Sequence, residues 1–126
     1  YQRRVRGSLI MMFLLQKSMM QYINLDEKQY KQLKKENKKY FFLFWNPNGR
    51  PCQIFKQQLD EINKQYNESI VIGLIDCTQQ SSQYMCSNEE IQFMPTFKLY
   101  ENKKSSVYKR TSDLKSWIES NMKSDL

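Results

Sequence analysis

The chain reads as an α/β protein with a mixed central sheet flanked by helices and a short N-terminal extension. Three observations carry that reading. Residues 40–45 and 70–75 are near-continuous apolar runs, the pattern of strands covered on both faces. Between them, residues 51 to about 67 space their apolar side chains at helical steps. After them, 95–101 and 105–109 flank a polar turn and form a closing hairpin. Strands that alternate with helices and then end in a hairpin imply a sheet that is neither all parallel nor all antiparallel.

In chain order, residues 1–20 stand apart from the domain that fills 21–126. They carry Arg3, Arg4, Arg6 and Lys17, no acid, and seven consecutive apolar residues over 9–15. A membrane span needs about 20 such residues, so this run is too short to be one. A basic start and a short apolar stretch suggest a signal peptide, but no small-x-small cleavage site follows. An Arg-rich, acid-free start also fits a mitochondrial presequence. The tail is read as a targeting remnant or a partner anchor, with packing against its own domain as the plainer alternative.

From Gln21 the pattern becomes regular. Tyr22, Ile23 and Leu25 make a short strand. Asp26 is a suitable N-cap for a helix running to about Asn37, with Tyr30 and Leu33 facing inward. The aromatic run 40–45 is the central strand. Pro51 suits a first helical turn, and Ile54, Phe55, Leu59, Ile62 and Tyr66 recur at three- and four-residue steps. A second buried strand over 70–75 ends at Asp76-Cys77-Thr78, and the polar segment 79–88 reads as a short helix and loop. The hairpin turns at Glu101-Asn102-Lys103-Lys104. Ser112 caps a last helix in which Leu114, Trp117, Ile118 and Met122 share a face.

Composition narrows the function. A length of 126 residues suits one domain, and 40% hydrophobic with 13% aromatic residues argues for a folded core. The net charge of +7 is unevenly placed: residues 26–126 hold 16 basic and 13 acidic residues, a net of +3. The one dense basic cluster, Lys34, Lys35, Lys38 and Lys39, falls at a helix C-terminus, where cations are favoured anyway. No nucleic-acid partner is expected. The absence of histidine excludes His-based acid–base catalysis and His metal ligation. Cys52, Cys77 and Cys86 lack zinc-like spacing, so no metal or cofactor is expected. One pair plus one odd thiol is the economical reading.

The stretch from Phe41 to Lys56 dominates the chain: a buried strand, a turn rich in Asn, Pro and Gly, then a helix with Cys52 in its first turn. Helix N-termini stabilise negative charge and are where reactive thiols sit. Phe44-Trp45-Asn46-Pro47-Asn48-Gly49-Arg50-Pro51-Cys52 resembles the F-Y-A-P-W-C-x-x-C of the a-type domains of protein disulfide isomerases. Ile75-Asp76-Cys77-Thr78, then Cys86, then Met94-Pro95-Thr96 is similar to their V-D-C-T…C…Y-P-T run. The resemblance spans about residues 20–124 and implies a thioredoxin-like fold, thiol–disulfide exchange and the endoplasmic reticulum lumen. The basic start leaves the mitochondrion as the alternative compartment.

Carried over residue by residue, the resemblance implies a degenerate active site. The family's attacking cysteine falls on Gly49, which has no side chain to attack a disulfide. The resolving cysteine falls on Cys52. The buried carboxylate that accepts a proton falls on Leu43, and the histidine between the cysteines falls on Pro51. The closing-segment arginine falls on Ser112, its neighbouring glycine on Arg110, and the glycine two residues before the cis-proline on Phe93. Nucleophile, proton acceptor and tuning groups are absent together.

What remains is read as a redox-inactive protein-binding or structural module, an accessory subunit of a larger assembly reached through the tail. Its binding surface would comprise Asn48, Gly49, Arg50, Pro51, Phe93, Met94 and Pro95. The rival is a monothiol oxidoreductase or isomerase-like chaperone that uses Cys52 as its catalytic thiol. Cys52 also reads simply as a small, partly buried hydrophobe. Some isomerase a domains carry a cysteine pair placed like Cys77 and Cys86, which implies a disulfide here.

Overall fold

The computed structural model describes residues 21–36, 39–65 and 70–123. The readings for residues 1–20, for Tyr66 and for the far ends of the first two helices lie outside the described residues. Among the described residues, five strands and four α-helices follow in the order β1 (Gln21–Asn24), α1 (Glu27–Lys35), β2 (Tyr40–Trp45), α2 (Arg50–Gln65), β3 (Val71–Asp76), α3 (Gln83–Asn88), β4 (Thr96–Glu101), β5 (Lys104–Val107) and α4 (Leu114–Lys123). A 3-10 turn, Gln80–Ser82, leads into α3. The sheet order is β1-β3-β2-β4-β5. β3 runs parallel to both β1 and β2, while β4 is antiparallel to β2 and β5 to β4. The mixed sheet between helical layers is therefore present.

Alternation along β2 builds two cores at once, because successive side chains of a strand point to opposite faces. Phe41 and Leu43 pack with Phe55, Leu59, Phe97 and Ile118 on the face covered by α2 and α4. Phe42 and Phe44 pack with Tyr30, Ile75 and Met85 on the face covered by α1 and α3. All four β2 side chains are almost fully buried, which explains why this strand shows no polar alternation. Gly73, opposite Phe42 in β3, permits a close approach. A Cβ there would lie 2.5 Å from Leu25 Cδ1 and 3.1 Å from Phe42 Cδ1.

The helix ends obey local chemistry. Asp26 caps α1 with a full capping box: its carboxylate accepts from the Gln29 amide at 2.7 Å, and Gln29 Oε1 accepts from the Asp26 amide. The cap of α4 is Asp113 rather than Ser112. Asp113 accepts from the Ser116 amide (3.1 Å) and hydroxyl (2.6 Å), which hold its carboxyl below the usual range. The Ser112 carbonyl instead accepts from the Tyr108 hydroxyl at 2.7 Å. The β4–β5 hairpin places Asn102 (φ 53°) and Lys103 (φ 64°) in left-handed conformations, as a two-residue turn that follows the sheet twist requires.

One polar cluster sits inside the α1/α3 core. Lys34 Nζ lies 2.8 Å from Glu89 Oε2, and Lys98 Nζ lies 3.4 Å from Oε1 and 2.9 Å from the Glu89 carbonyl oxygen. The Tyr30 hydroxyl donates to the same carboxylate and accepts from Asn88 Nδ2 at 2.9 Å. Burial alone would push the Glu89 carboxyl up. Hydrogen bonds from Lys34 and Tyr30, with the Lys34 and Lys98 charges, overcome that and hold it below the usual carboxylate range.

Candidate functional site

The segment between β2 and α2 is a compact turn built by its own polar side chains. The Gly49 amide donates to the Asn46 carbonyl at 2.9 Å, and the Asn48 amide donates to Asn46 Oδ1 at 3.0 Å. Gln53 ties the helix back, its amide to the Gly49 carbonyl and its Nε2 to the Pro47 carbonyl, each at 3.0 Å. Asn46 thus organises the turn, while Asn48 and Arg50 are exposed.

Cys52 occupies the first turn of α2 and is only 2% exposed. Its sulfur accepts a hydrogen bond from the Asn46 amide at 3.3 Å. The thiol is thus buried behind the backbone of the turn. Gly49 stands one residue before the helix, and its φ is not in the left-handed region. A Cβ built there would meet nothing closer than Asn46 Nδ2 and O at 3.4 Å. The position therefore has room for a side chain. Leu43 is fully buried and stands opposite Leu74 and Phe97 on the neighbouring strands.

The Met94–Pro95 peptide bond is cis. Pro95 is buried and Met94 half-buried, whereas Phe93 is 62% exposed. The loop is pinned by the Thr96 hydroxyl, which donates to the Phe93 carbonyl at 2.6 Å. Cys77 and Cys86 form a disulfide, with Cα atoms 5.9 Å apart, that ties the end of β3 to α3. Beside it a small groove of about 230 Å³ is lined by Cys77, Cys86, Gln83, Ile91, Phe93 and Met94.

A second groove, of about 400 Å³, meets the loop at Pro95. It is lined by Arg50, Pro51, Ile54, Phe55, Pro95 and Arg110, with Gln58 at its α2 side. The seven binding residues named from sequence are thus divided. Arg50, Pro51 and Pro95 share this groove, Phe93 and Met94 share the one beside the disulfide, and Asn48 and Gly49 belong to the turn before α2. Four members of the larger groove, Ile54, Phe55, Gln58 and Arg110, are not among those seven, and two of them depart from what the sequence indicates. Ile54 was expected to face inward, but it is 44% exposed. The buried stripe of α2 is Cys52, Phe55, Leu59 and Ile62, and Ile54 lies one residue off it.

Arg110 is the other. It takes a left-handed conformation (φ 60°) that normally favours glycine, so its side chain is held where a glycine would leave space. Its Nη2 donates to the Pro95 carbonyl at 3.2 Å. Its guanidinium lies 5.7 Å from the Phe55 ring centre and 5.9 Å from that of Tyr108, within cation–π range. The sequence signal was the replaced glycine at this position, which marked a backbone shape but not the contact made.

A family model for thioredoxin matches residues 21–124. The chain belongs to the thioredoxin family. Among solved structures, this thioredoxin domain is similar to the J-Trx1 fragment of ERdj5: 14% identical, covering 82% of this chain and 51% of that one, TM-score 0.64. It is similar also to the Trx4 domain of ERdj5 (19% identical, 84% and 96% covered, TM-score 0.62). The first thioredoxin domain of mouse protein disulfide-isomerase A4 matches at 14% identity, with 86% and 75% covered and a TM-score of 0.61. The chain spans about half the length of the first of these. Likeness at these identities shows the fold alone. No curated protein sequence matches the chain. Among the described residues no helix is long and apolar enough to cross a membrane, and no three metal-ligating side chains cluster.

Proposed function

We propose that this thioredoxin domain is a redox-inactive protein-binding or structural module, an accessory subunit of a larger assembly. One observation carries the reading: position 49, where the family's attacking cysteine falls, is glycine, and the remaining thiol, Cys52, is 2% exposed. Exchange needs a thiolate that reaches a partner disulfide, and burial denies Cys52 that access. The surface around Arg50, Pro51 and Pro95 keeps the shape of a redox site without its chemistry. The Cys77–Cys86 bridge supports an oxidising compartment, which we take to be the endoplasmic reticulum lumen.

Two measurements test this. A chromogenic thiol reagent is expected to label Cys52 only after denaturation, and a disulfide-reduction assay driven by dithiothreitol is expected to stay at the protein-free rate. Fast labelling of the native protein, lost in Cys52→Ser, together with turnover near that of a two-cysteine thioredoxin, would overturn the reading. The tail is the segment we assign to anchoring, because residues 1–20 combine basic and apolar character. Deleting them should release the bound proteins from the purified assembly while leaving the far-ultraviolet circular dichroism of residues 21–126 unchanged. Retention of every partner by the shortened chain would remove the tail as anchor.

A further inference from the structure

We infer that the groove between α2 and the cis-proline loop docks an extended protein segment that bears acidic side chains, read by Arg50 and Arg110. The inference rests on the binding-module reading and names the class of segment that such a module would take. The charged side chains lining the groove are both arginines, and no acidic residue lines it. Among the described residues neither guanidinium has a carboxylate partner, although five N–H donors per arginine suit one. Arg110 spends one donor on the Pro95 carbonyl and rests its plane near Phe55 and Tyr108, an arrangement that fixes the fork before any ligand arrives. A pre-positioned guanidinium loses less entropy on binding a carboxylate than a free one does.

The apolar members, Pro51, Ile54, Phe55 and Pro95, ask for more than a lone anion. A neighbouring groove of about 590 Å³ shares Ile54 and Gln58 with the first and continues along α2 past Ile62 and Leu114, where Glu61, Asp113 and Lys115 also line it, so acidic residues of a ligand are favoured only at the arginine end. An extended segment could therefore lay apolar side chains along the helix with its acidic residues at the arginine end. The chain's own first twenty residues are a poor match for that end, since they hold four cations and no acid.

The test is selection of random phage-displayed peptides on the 126-residue chain. Peptides recovered on wild type are expected to be enriched in Asp and Glu over the starting library. The best of them, made synthetically with a fluorescent label, should bind about tenfold more weakly to Arg110→Gly and to Arg50→Gln, and weaken with added salt. Arg110→Gly puts glycine where the backbone favours it, so circular dichroism should report an intact fold. Recovery of peptides with no acidic excess, or with affinity unmoved in both variants, overturns the inference and leaves the binding-module reading standing. Recovery of none removes both. A dimer in sedimentation that the double variant dissolves would make a second copy of this chain the occupant, and also overturns the inference.

Discussion

Glu89→Gln is expected to cost about 3 kcal/mol of unfolding free energy at neutral pH, because it leaves Lys98 buried without a countercharge. The Lys98 side chain is 10% exposed and that of Glu89 6%, so water cannot take over the lost partner. The urea midpoint measures the change. The dependence on pH has a definite sign. The folded carboxyl is held below its usual value, so the native state binds fewer protons than the unfolded one in the acid range. Its stabilisation is present above the unfolded carboxyl pKa, about 4.3, and is lost as pH falls through the folded value. The gap between wild type and Glu89→Gln should therefore close in acid. Adding Lys98→Met to Glu89→Gln should recover most of the loss, since an apolar replacement leaves no unpaired charge. Equal midpoints for wild type and Glu89→Gln at pH 7 would show that the cluster contributes nothing.

Gly49→Cys is expected to switch on disulfide reduction, on the order of tenfold above the protein-free rate with dithiothreitol as reductant. The backbone at 49 accepts a side chain, and the nearest atoms to a Cβ there stand at 3.4 Å. A thiol placed just before α2 gains from the helix N-terminus, which favours the thiolate, and Cys52 is three residues on to resolve a mixed disulfide. Turnover should stay below that of an intact relative. Leu43 is fully buried where the family would keep a carboxylate, so proton transfer has no internal acceptor. Gly49→Cys combined with Cys52→Ser should trap mixed disulfides instead of turning over. Should the folded Gly49→Cys protein show no activity, the missing nucleophile would not be what silences this site.

Local chemistry was easy to read from the sequence; contacts across the fold were not. The unbroken aromatic run of β2 announces burial on both faces, and Asp26 and Pro51 mark helix starts to within a residue. Ser112 failed as a cap because its neighbour Asp113 also suits that place, and nothing local decides between them. Ile54 failed because it lies one residue off the buried stripe of Cys52, Phe55, Leu59 and Ile62, and the sheet beneath sets where that stripe runs. The Glu89 cluster joins residues up to 59 positions apart, so no periodicity could reveal it. Arg110 illustrates the same limit at the candidate site. Its place was clear from the replaced glycine, but its bond to the Pro95 carbonyl depends on how the closing hairpin packs.

The order of strands in the sheet bears on when the protein can fold. β3 lies between β1 and β2, which do not touch each other, so both must wait for residues 71–76. During synthesis β1 and β2 have no strand between them to pair with, and Phe41 and Leu43 emerge before α2 and α4, the helices that cover their face. Parallel pairing at long range is slow, and exposed apolar strands invite aggregation in the interval. The interval of greatest exposure to aggregation therefore lasts until Asp76 has been made.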